Sequence, residues 1–366
     1  MRGPERKLTY QPALDGVRAI AALSVVFYHL RLPGFAGGGL GVDIFFTLSG
    51  FLISSIILTE LERTGRLSYR SFYIRRGLRL LPAYFATVIL ALAAYFLIVE
   101  VGGTLRGALF SFFYIANWAA AFDQGLGTLA HTWSLSVEEQ FYFLWPVLLV
   151  LLFRRARGTG RGLLIAVSVA WAAMWVITLV CVFALHITFD LLNNGTPFRA
   201  TELLAGCVLA VAVRHGYLDR LTRRRTLSSV LGVIALLGLI ALIVFGHSES
   251  NAELLAIWIG VSGCTALLIA SVQGEHPTLV GRVLSWRPLV VIGMMSYGVY
   301  LWHFPVMVSI DQMYGLGSFP AAATSLLITA VLVTASYYLL EKPFLRLKGR
   351  FERGLRRPDS DHRSAN

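Results

Sequence analysis

Long apolar runs recur along this chain of 366 residues, from near its start to near its end. A run of about 20 apolar residues is the length that an α-helix needs to cross the hydrocarbon core of a bilayer. The chain is 56% hydrophobic and only 14% charged, which excludes an ordinary soluble domain. The sequence therefore predicts an all-α fold, a bundle of helices that crosses a membrane several times.

Ten of these runs are predicted to be transmembrane helices within a single domain, residues 1–344. The predicted spans are 14–30, 40–59, 80–99, 135–153, 162–185, 199–213, 226–245, 254–273, 288–310 and 319–340. The remaining segment, 345–366, is basic and polar, which predicts a disordered tail against the inner leaflet.

The distribution of positive charge predicts the orientation of the bundle. With the N-terminus in the cytoplasm, 28 of the 32 lysines and arginines fall on the inner side of the ten spans. The other four are Arg18, Arg31, Arg106 and Arg199. Because positive residues concentrate on the cytoplasmic side, both termini are predicted to be cytoplasmic, and the net charge of +12 requires no nucleic acid. No cleavable signal peptide is predicted, since Asp15 and Arg18 interrupt the first apolar run.

One further segment, 107–121, is apolar enough to cross the membrane. If it did, every later loop would change sides, and the arginines at 154–161 and 220–225 would lie outside. We therefore expect a re-entrant or interfacial segment rich in aromatic residues, with an eleventh span as the alternative.

The first run, LDGVRAIAALSVVFYHL, carries an arginine near its start and a histidine at its end. Arg18 and His29 are 11 residues apart, which is roughly 1100° around a helix and about 16 Å along it. Both side chains therefore leave the same face. Ionisable groups inside a membrane are costly and usually line a functional interior, so the spacing predicts an elongated polar slot.

Other polar residues lie near the outer ends of separate predicted spans, which suggests one shared site. A simpler interpretation remains open for most of them. Arg199 and Glu202 could form a structural ion pair at i and i+3, His131 and His303 could be bonded to carbonyls, and Glu138 could belong to a solvated helix start. The residues are Asp43, His131, Glu138, Arg199, Glu202 and His303.

Arg75, Arg76 and Arg79 stand directly before the third span, in IRRGLRLLPAY. Guanidinium groups beside a helix start are typical of a phosphate site. The alternative is that they only set the topology.

A cationic end and a histidine end suit a long donor with phosphates at one end and a reactive group at the other. Acyl-coenzyme A fits this description, with His29 as general base on an acceptor hydroxyl. Asn117, Ser134, Tyr142 or a histidine are candidates to stabilise negative charge on the thioester carbonyl.

Seven blocks of the sequence resemble, in order, those of the acyltransferase-3 family of bacterial membrane acyltransferases. The blocks are LDGVRAIAALSVVFYHL, GVDIFFTLSGFLIS, RRGLRLLP, HTWSLSVEEQFYFLWP, FRATELLAG, SYGVYLWHFP and EKPF. The resemblance implies about ten transmembrane helices in the bacterial cytoplasmic membrane. It also implies transfer of an acyl group, commonly acetyl from acetyl-CoA, to an extracytoplasmic hydroxyl.

The resemblance also implies roles for particular residues. His29 and Arg18 match the family's key pair, and Glu138 matches a glutamate of the fourth block. Arg75, Arg76 and Arg79 match a motif thought to hold the donor. No metal and no bound cofactor are expected. Larger relatives append a hydrolase-like domain, which is not expected here because the chain ends about 22 residues after EKPF.

The acceptors of the family range from surface polysaccharides, O-antigen and peptidoglycan to macrolides. We expect a carbohydrate ahead of a macrolide or another small molecule. Two other classes remain as hypotheses: a transporter or flippase of a glycan or acyl donor, and a non-catalytic partner that relays acyl groups to another enzyme. A transporter would relocate its substrate without adding the mass of an acyl group.

Overall fold

A computed structural model describes residues 10–157, 159–274, 276–315 and 318–346. Every regular element within these ranges is helical, and none of them is a strand. The all-α class predicted from the sequence is therefore confirmed. The predicted tail at 345–366 lies outside the described residues, apart from its first two positions.

Long helices alternate with short ones along the chain. The helices of the described ranges are α1 (Pro12–His29), α2 (Gly41–Thr64), α3 (Tyr69–Leu97), α4 (Thr104–Phe112), α5 (Ala116–Ala121), α6 (Thr132–Arg155), α7 (Gly160–Phe183), α8 (Phe189–Asn194), α9 (Thr196–Arg214), α10 (Asp219–Thr222), α11 (Arg225–Phe245), α12 (Asn251–Ser271), α13 (Leu279–Leu284), α14 (Arg287–Met294), α15 (Ser296–Tyr314) and α16 (Phe319–Ser336). A π-helical turn, Tyr337–Glu341, continues α16.

Eight helices of the described ranges are long and apolar enough to cross a membrane. A ninth span results if α14 and α15, which are bent by 68° at their junction, are counted as one. Helix α1 is not among the eight, and it carries Asp15, Arg18 and His29. All ten predicted runs fold mainly as helix, whereas the number of spans and the side of the termini stay predictions.

The segment 107–121 does not form one long helix. It is divided between α4 and α5, with Tyr114 in the left-handed region at a φ of 53°. The longer of the two has nine residues, or about 14 Å at 1.5 Å per residue, less than half the thickness of the hydrocarbon core. This break agrees with the re-entrant or interfacial segment that was predicted.

Helices α2 and α9 cross at very short range because each presents a glycine to the backbone of the other. A Cβ atom at Gly50 would overlap the carbonyl of Leu203, and one at Gly206 would overlap the carbonyl of Thr47. Small residues allow such close approach of helix backbones in membrane proteins. The crossing holds α2 in a fixed position in the bundle.

Helix α1 packs inside the bundle against α2, α14 and α15. Ala19, Ala21 and Ala22 are fully buried, and their small size lets neighbouring helices come close. Gly293 of α14 lies against the backbone of Asp15 at the start of α1. This contact anchors α14, so that α15 begins beside α1 and runs along it.

The proposed orientation predicts opposite exposure for the segment before α10 and the segment after α11. In a variant lacking the free thiols of Cys181, Cys207 and Cys264, a cysteine placed at Gly216 should react with a thiol reagent only from the cytoplasmic side. A cysteine placed at Ser248 should react from the outside, as measured with a membrane-impermeant maleimide on intact and inverted vesicles. The reverse pattern would overturn the predicted orientation.

Candidate active site

A long cavity of about 730 Å³ lies between α2, α3, α6 and α15, and Arg18 of α1 contributes to its wall. One stripe of α2 lines the cavity from Val42 to Arg63, a distance of about 32 Å for 21 residues of helix. That length is similar to the roughly 30 Å thickness of the hydrocarbon core. The α2 residues of the wall are Val42, Phe45, Phe46, Ser49, Leu52, Ile53, Ile56, Thr59, Glu60 and Arg63.

Positive charge is concentrated along one part of this cavity. Five arginines line it, against the carboxylates of Glu60 and Glu138. We call this part the arginine end; its residues are Arg18, Arg63, Arg75, Arg76 and Arg79. An excess of guanidinium groups in a partly enclosed space attracts anions, and phosphates in particular.

Three of the five arginines already have carboxylate partners. Arg75 pairs with Glu60 at 3.3 Å, and Arg76 pairs with Glu139 at 2.9 Å. The guanidinium of Arg76 also stacks 3.2 Å above the centre of the Tyr142 ring. These contacts join α3 to α2 and α6, so both arginines help to build the wall.

Arg18 is held by Asp15, which accepts hydrogen bonds from the Arg18 guanidinium at 3.0 Å and from the Tyr10 hydroxyl at 2.7 Å. Because the phenol donates to a carboxylate, this hydrogen bond raises the pKa of Tyr10 to about 12. Asp15 therefore neutralises part of the charge of Arg18, whose side chain keeps 21% of its surface exposed.

Arg79 and Arg63 differ from the other three. Neither side chain makes a hydrogen bond, or an ion pair within 4 Å, with another described residue, and both line the cavity. The buried carboxylate of Glu341 attracts Arg79 at longer range. A guanidinium without a hydrogen-bond partner keeps all five N–H donors for a ligand. Of the three arginines predicted before the third span, Arg79 is thus the one best placed to bind a phosphate.

The other end of the cavity is closed by two hydroxyl groups. We call it the inner end because it lies in the interior of the bundle; it is the end away from the arginines. The Ser134 and Tyr300 hydroxyl oxygens are 2.6 Å apart, and Tyr300 donates to the carbonyl oxygen of His131 at 3.0 Å. Both side chains are buried in the protein. Tyr142 also lines the cavity, whereas Asn117 does not and instead bonds Gln140 and Thr196.

Three histidines from different parts of the chain meet just beyond the inner end. His29 Nδ1 lies 3.1 Å from His303 Nε2, and the His131 ring centre is 5.9 Å from that of His303. None of the three lines the cavity. His303 and His131 are buried, and neither ring nitrogen of His131 has a hydrogen-bond partner within the described residues.

The hydrogen bonds of His303 determine where the protons of the pair lie. His303 Nδ1 contacts the carbonyl oxygen of Val299 at 3.1 Å, and a carbonyl can only accept. His303 Nδ1 therefore donates, and in the neutral ring His303 Nε2 must accept. His29 Nδ1 then donates to it, which leaves the lone pair of His29 Nε2 free to take a proton.

The predicted catalytic residues are thus separated along the site. Glu138 lines the middle of the cavity and accepts a hydrogen bond from Ser49 at 2.7 Å. Arg18 also faces the cavity, whereas His29 lies beyond its inner end. His131 and His303, predicted as acceptor-site residues, lie beside His29.

The other predicted acceptor-site residues form a separate buried network. The Arg199 guanidinium donates to both Asp43 and Glu202, and a second set of donors bonds Asn193. The rings of Trp258, Trp133 and Phe46 surround it, with Trp258 closest at 4.3 Å. Asp43, Arg199 and Glu202 are all buried and do not line the cavity, which favours the structural interpretation.

Tyr300 and Arg63 are among the cavity residues that were not anticipated from the sequence. Tyr300 stands three positions before His303, a spacing that places both on one face of α15. Arg63 continues the 3-and-4 spacing of the α2 stripe beyond Glu60. Helical periodicity therefore indicated the face on which each residue lies. Nothing in the sequence indicated which other helices those faces would contact.

Comparison with known proteins identifies the family. The Acyl_transf_3 family model, described as an acyltransferase domain, matches residues 11–341. The chain belongs to this family.

Among its relatives are peptidoglycan O-acetyltransferase OatA of Listeria monocytogenes and the putative peptidoglycan O-acetyltransferase YrhL of Bacillus subtilis. They are 34% and 35% identical over 81% and 93% of this chain, and over 49% and 55% of their own lengths. O-acetyltransferase OatA of Staphylococcus aureus is 32% identical over 93% of this chain and 58% of its own. The chain thus spans about half the length of these curated relatives. No solved structure matches it.

The buried network of Asp43, Arg199 and Glu202 can be tested for whether it stabilises the fold or binds a substrate. Arg199→Ala should sharply reduce folded protein, by about 3–5 kcal/mol of stability, because it leaves two buried carboxylates without a cation. Exchanging all three charges together, as Arg199→Met with Asp43→Asn and Glu202→Gln, should restore much of the stability. Thermal unfolding in detergent would measure both effects.

The matched control is the exposed pair of Arg31 with Asp311, 3.4 Å apart. Arg31→Ala should change the unfolding temperature little, since exposed ion pairs contribute about 0–1 kcal/mol. A neutralised triple variant that folds but has lost acyl transfer would show instead that the network binds a substrate.

Proposed function

We propose that the protein transfers an acetyl group from cytoplasmic acetyl-CoA to a hydroxyl group of an extracytoplasmic cell-wall glycan. The observation that carries this proposal is the cavity about 32 Å long, with unpaired arginines along one part and a histidine pair just beyond its other end. Membership in the acyltransferase family favours transfer over transport.

Each part of the cavity suits one part of an acyl-CoA molecule. The phosphates would lie against Arg79, Arg63 and Arg18, whose positive charges they offset. The middle of the wall is apolar, with Leu52, Ile53 and Ile56 on α2, and would contact the pantetheine arm. The thioester would then lie at the inner end. A volume of about 730 Å³ is in the usual range for a ligand site.

The histidine pair supplies the proton transfer that the reaction needs. His29 Nε2 accepts the proton of the acceptor hydroxyl as its oxygen attacks the thioester carbonyl carbon. When the tetrahedral intermediate collapses, the carbon–sulfur bond breaks and the departing thiolate takes that proton from His29. His303 Nε2 accepts the hydrogen bond of His29 Nδ1, which orients the ring and stabilises it while it carries the charge.

The Ser134 hydroxyl is the group best placed to face the carbonyl oxygen. It lines the inner end, beside the Tyr300 hydroxyl at 2.6 Å. In the structure its proton is donated to the Tyr300 oxygen, because Tyr300 donates its own proton to the His131 carbonyl. Turned toward the thioester, the Ser134 hydroxyl would stabilise negative charge as it develops on the carbonyl oxygen. Glu138, deeper in the wall and bonded to Ser49, would face the middle of the donor.

The names of the relatives support a glycan as acceptor. Two of them are described as peptidoglycan O-acetyltransferases, one of these as putative. A sugar hydroxyl that approaches from outside would meet His29 directly, because His29 ends α1 at the side opposite to the arginine end and is only half-buried.

The base role predicts a large loss of activity on removal of the imidazole. His29→Ala should lower the rate of acetyl transfer to peptidoglycan fragments by about 10²–10⁴-fold while the protein stays folded. The assay would supply acetyl-CoA to purified protein and detect the added acetyl mass on the acceptor. The matched control is His247→Ala, at an exposed turn, which should leave the rate unchanged. Equal rates for wild type and His29→Ala would exclude the base role.

If Arg79 binds the phosphates of the donor, its removal should weaken donor binding. Arg79→Ala should raise the KM for acetyl-CoA about tenfold or more with a smaller effect on kcat, because it removes binding energy common to substrate and transition state. Arg155→Ala, an exposed arginine at the end of α6, is the control and should change neither constant. An unchanged KM in Arg79→Ala would mean that this arginine only sets the topology.

A further inference from the structure

A single side chain lies between the cavity and two of the three histidines, His131 and His303. Tyr300 lines the inner end of the cavity on one side. On the other side its ring centre is 5.5 Å from that of His303 and 5.7 Å from that of His131. The partition between the cavity and these histidines is therefore one aromatic ring thick.

Contacts on several sides hold this ring in place. Its hydroxyl is bonded to Ser134 and to the His131 carbonyl, both from the start of α6. The ring of Phe45 on α2 packs against it, 6.3 Å between centres. Tyr300 is thus fixed against two other helices rather than free to rotate into the cavity, and only 6% of its surface is exposed.

A ring fixed across the end of a cavity limits the length of whatever the cavity holds. We propose that Tyr300 sets the acyl chain length of the donor, since it leaves room for an acetyl group and blocks longer acyl chains. This inference rests on the proposed function, because it takes the donor to be an acyl-CoA whose thioester lies at the inner end.

Removing the ring should open the cavity toward His131 and His303, the two rings that it contacts. The space released would take the additional methylene groups of a longer acyl chain. Each methylene accommodated in an apolar site changes selectivity by about tenfold or more. The hydroxyl is not needed for this effect, since the ring itself closes the cavity.

The experiment compares acetyl-CoA, butyryl-CoA and hexanoyl-CoA as donors for purified wild type, Tyr300→Phe and Tyr300→Ala. The ratio of kcat/KM for butyryl-CoA to that for acetyl-CoA should rise about tenfold or more in Tyr300→Ala and stay near the wild-type value in Tyr300→Phe. Tyr300→Leu, which keeps a smaller apolar side chain, replaces Tyr300→Ala if that variant does not fold.

The matched control is Leu301→Ala on the same helix. Leu301 is fully buried in a different cluster, with Ala83 and Tyr84, and does not line the cavity. This variant should lower the unfolding temperature without changing the ratio between donors, so it separates a general loosening of α15 from the loss of the partition.

Two results would overturn the inference. If wild type transfers acetyl and the ratio stays unchanged in both Tyr300→Ala and Tyr300→Leu, Tyr300 does not set the chain length and the proposed function stands. If wild type neither binds nor uses any acyl-CoA, the proposed donor is wrong and this inference fails with it.

Discussion

The cost of placing charge inside a membrane is the constraint on which this structure depends. A charge held away from water needs a partner or an aqueous cavity, because its desolvation costs several kcal/mol. The bundle contains both solutions. Arg199 is enclosed with Asp43 and Glu202 among aromatic rings. Arg79 makes no hydrogen bond and no ion pair within 4 Å among the described residues, is attracted only at longer range by Glu341, and faces the cavity. The surroundings of each arginine, rather than its residue type, therefore indicate which guanidinium group is available to bind a ligand.

The same constraint gives different surroundings to the arginines of one short motif and to the groups at the two ends of the cavity. Arg75 and Arg76 connect α3 to its neighbours through Glu60 and Glu139, and this leaves Arg79 for an anion. At the far end, the carbonyl of Val299 sets the direction of the hydrogen bonds through His303 to His29. The arginine end and the histidine pair are thus separated by the length of the cavity, as the proposed long donor would require.

The sequence predicted which residues share a face of one helix. It could not predict which side chains of different helices are in contact. Periodicity placed Arg18 and His29 on one face of α1, and hydropathy located all ten helical runs. The partner of His29 lies 274 residues away, and Asp43 lies 156 residues from Arg199, so no local pattern could show that these side chains meet. Which arginine of a motif keeps its charge free likewise depends on carboxylates from other helices.

The two sides of the cavity differ in how they can move. On one side, the reciprocal contacts of Gly50 and Gly206 interlock α2 with α9, so α2 cannot turn about its axis without separating two backbones. On the other side, α15 begins at a 68° bend next to Met295, where the ladder of helical hydrogen bonds is interrupted. The α2 wall of the cavity is consequently held against rotation by a second helix, whereas the α15 wall starts at a break in the helix and is held in place by side-chain contacts such as those of Tyr300.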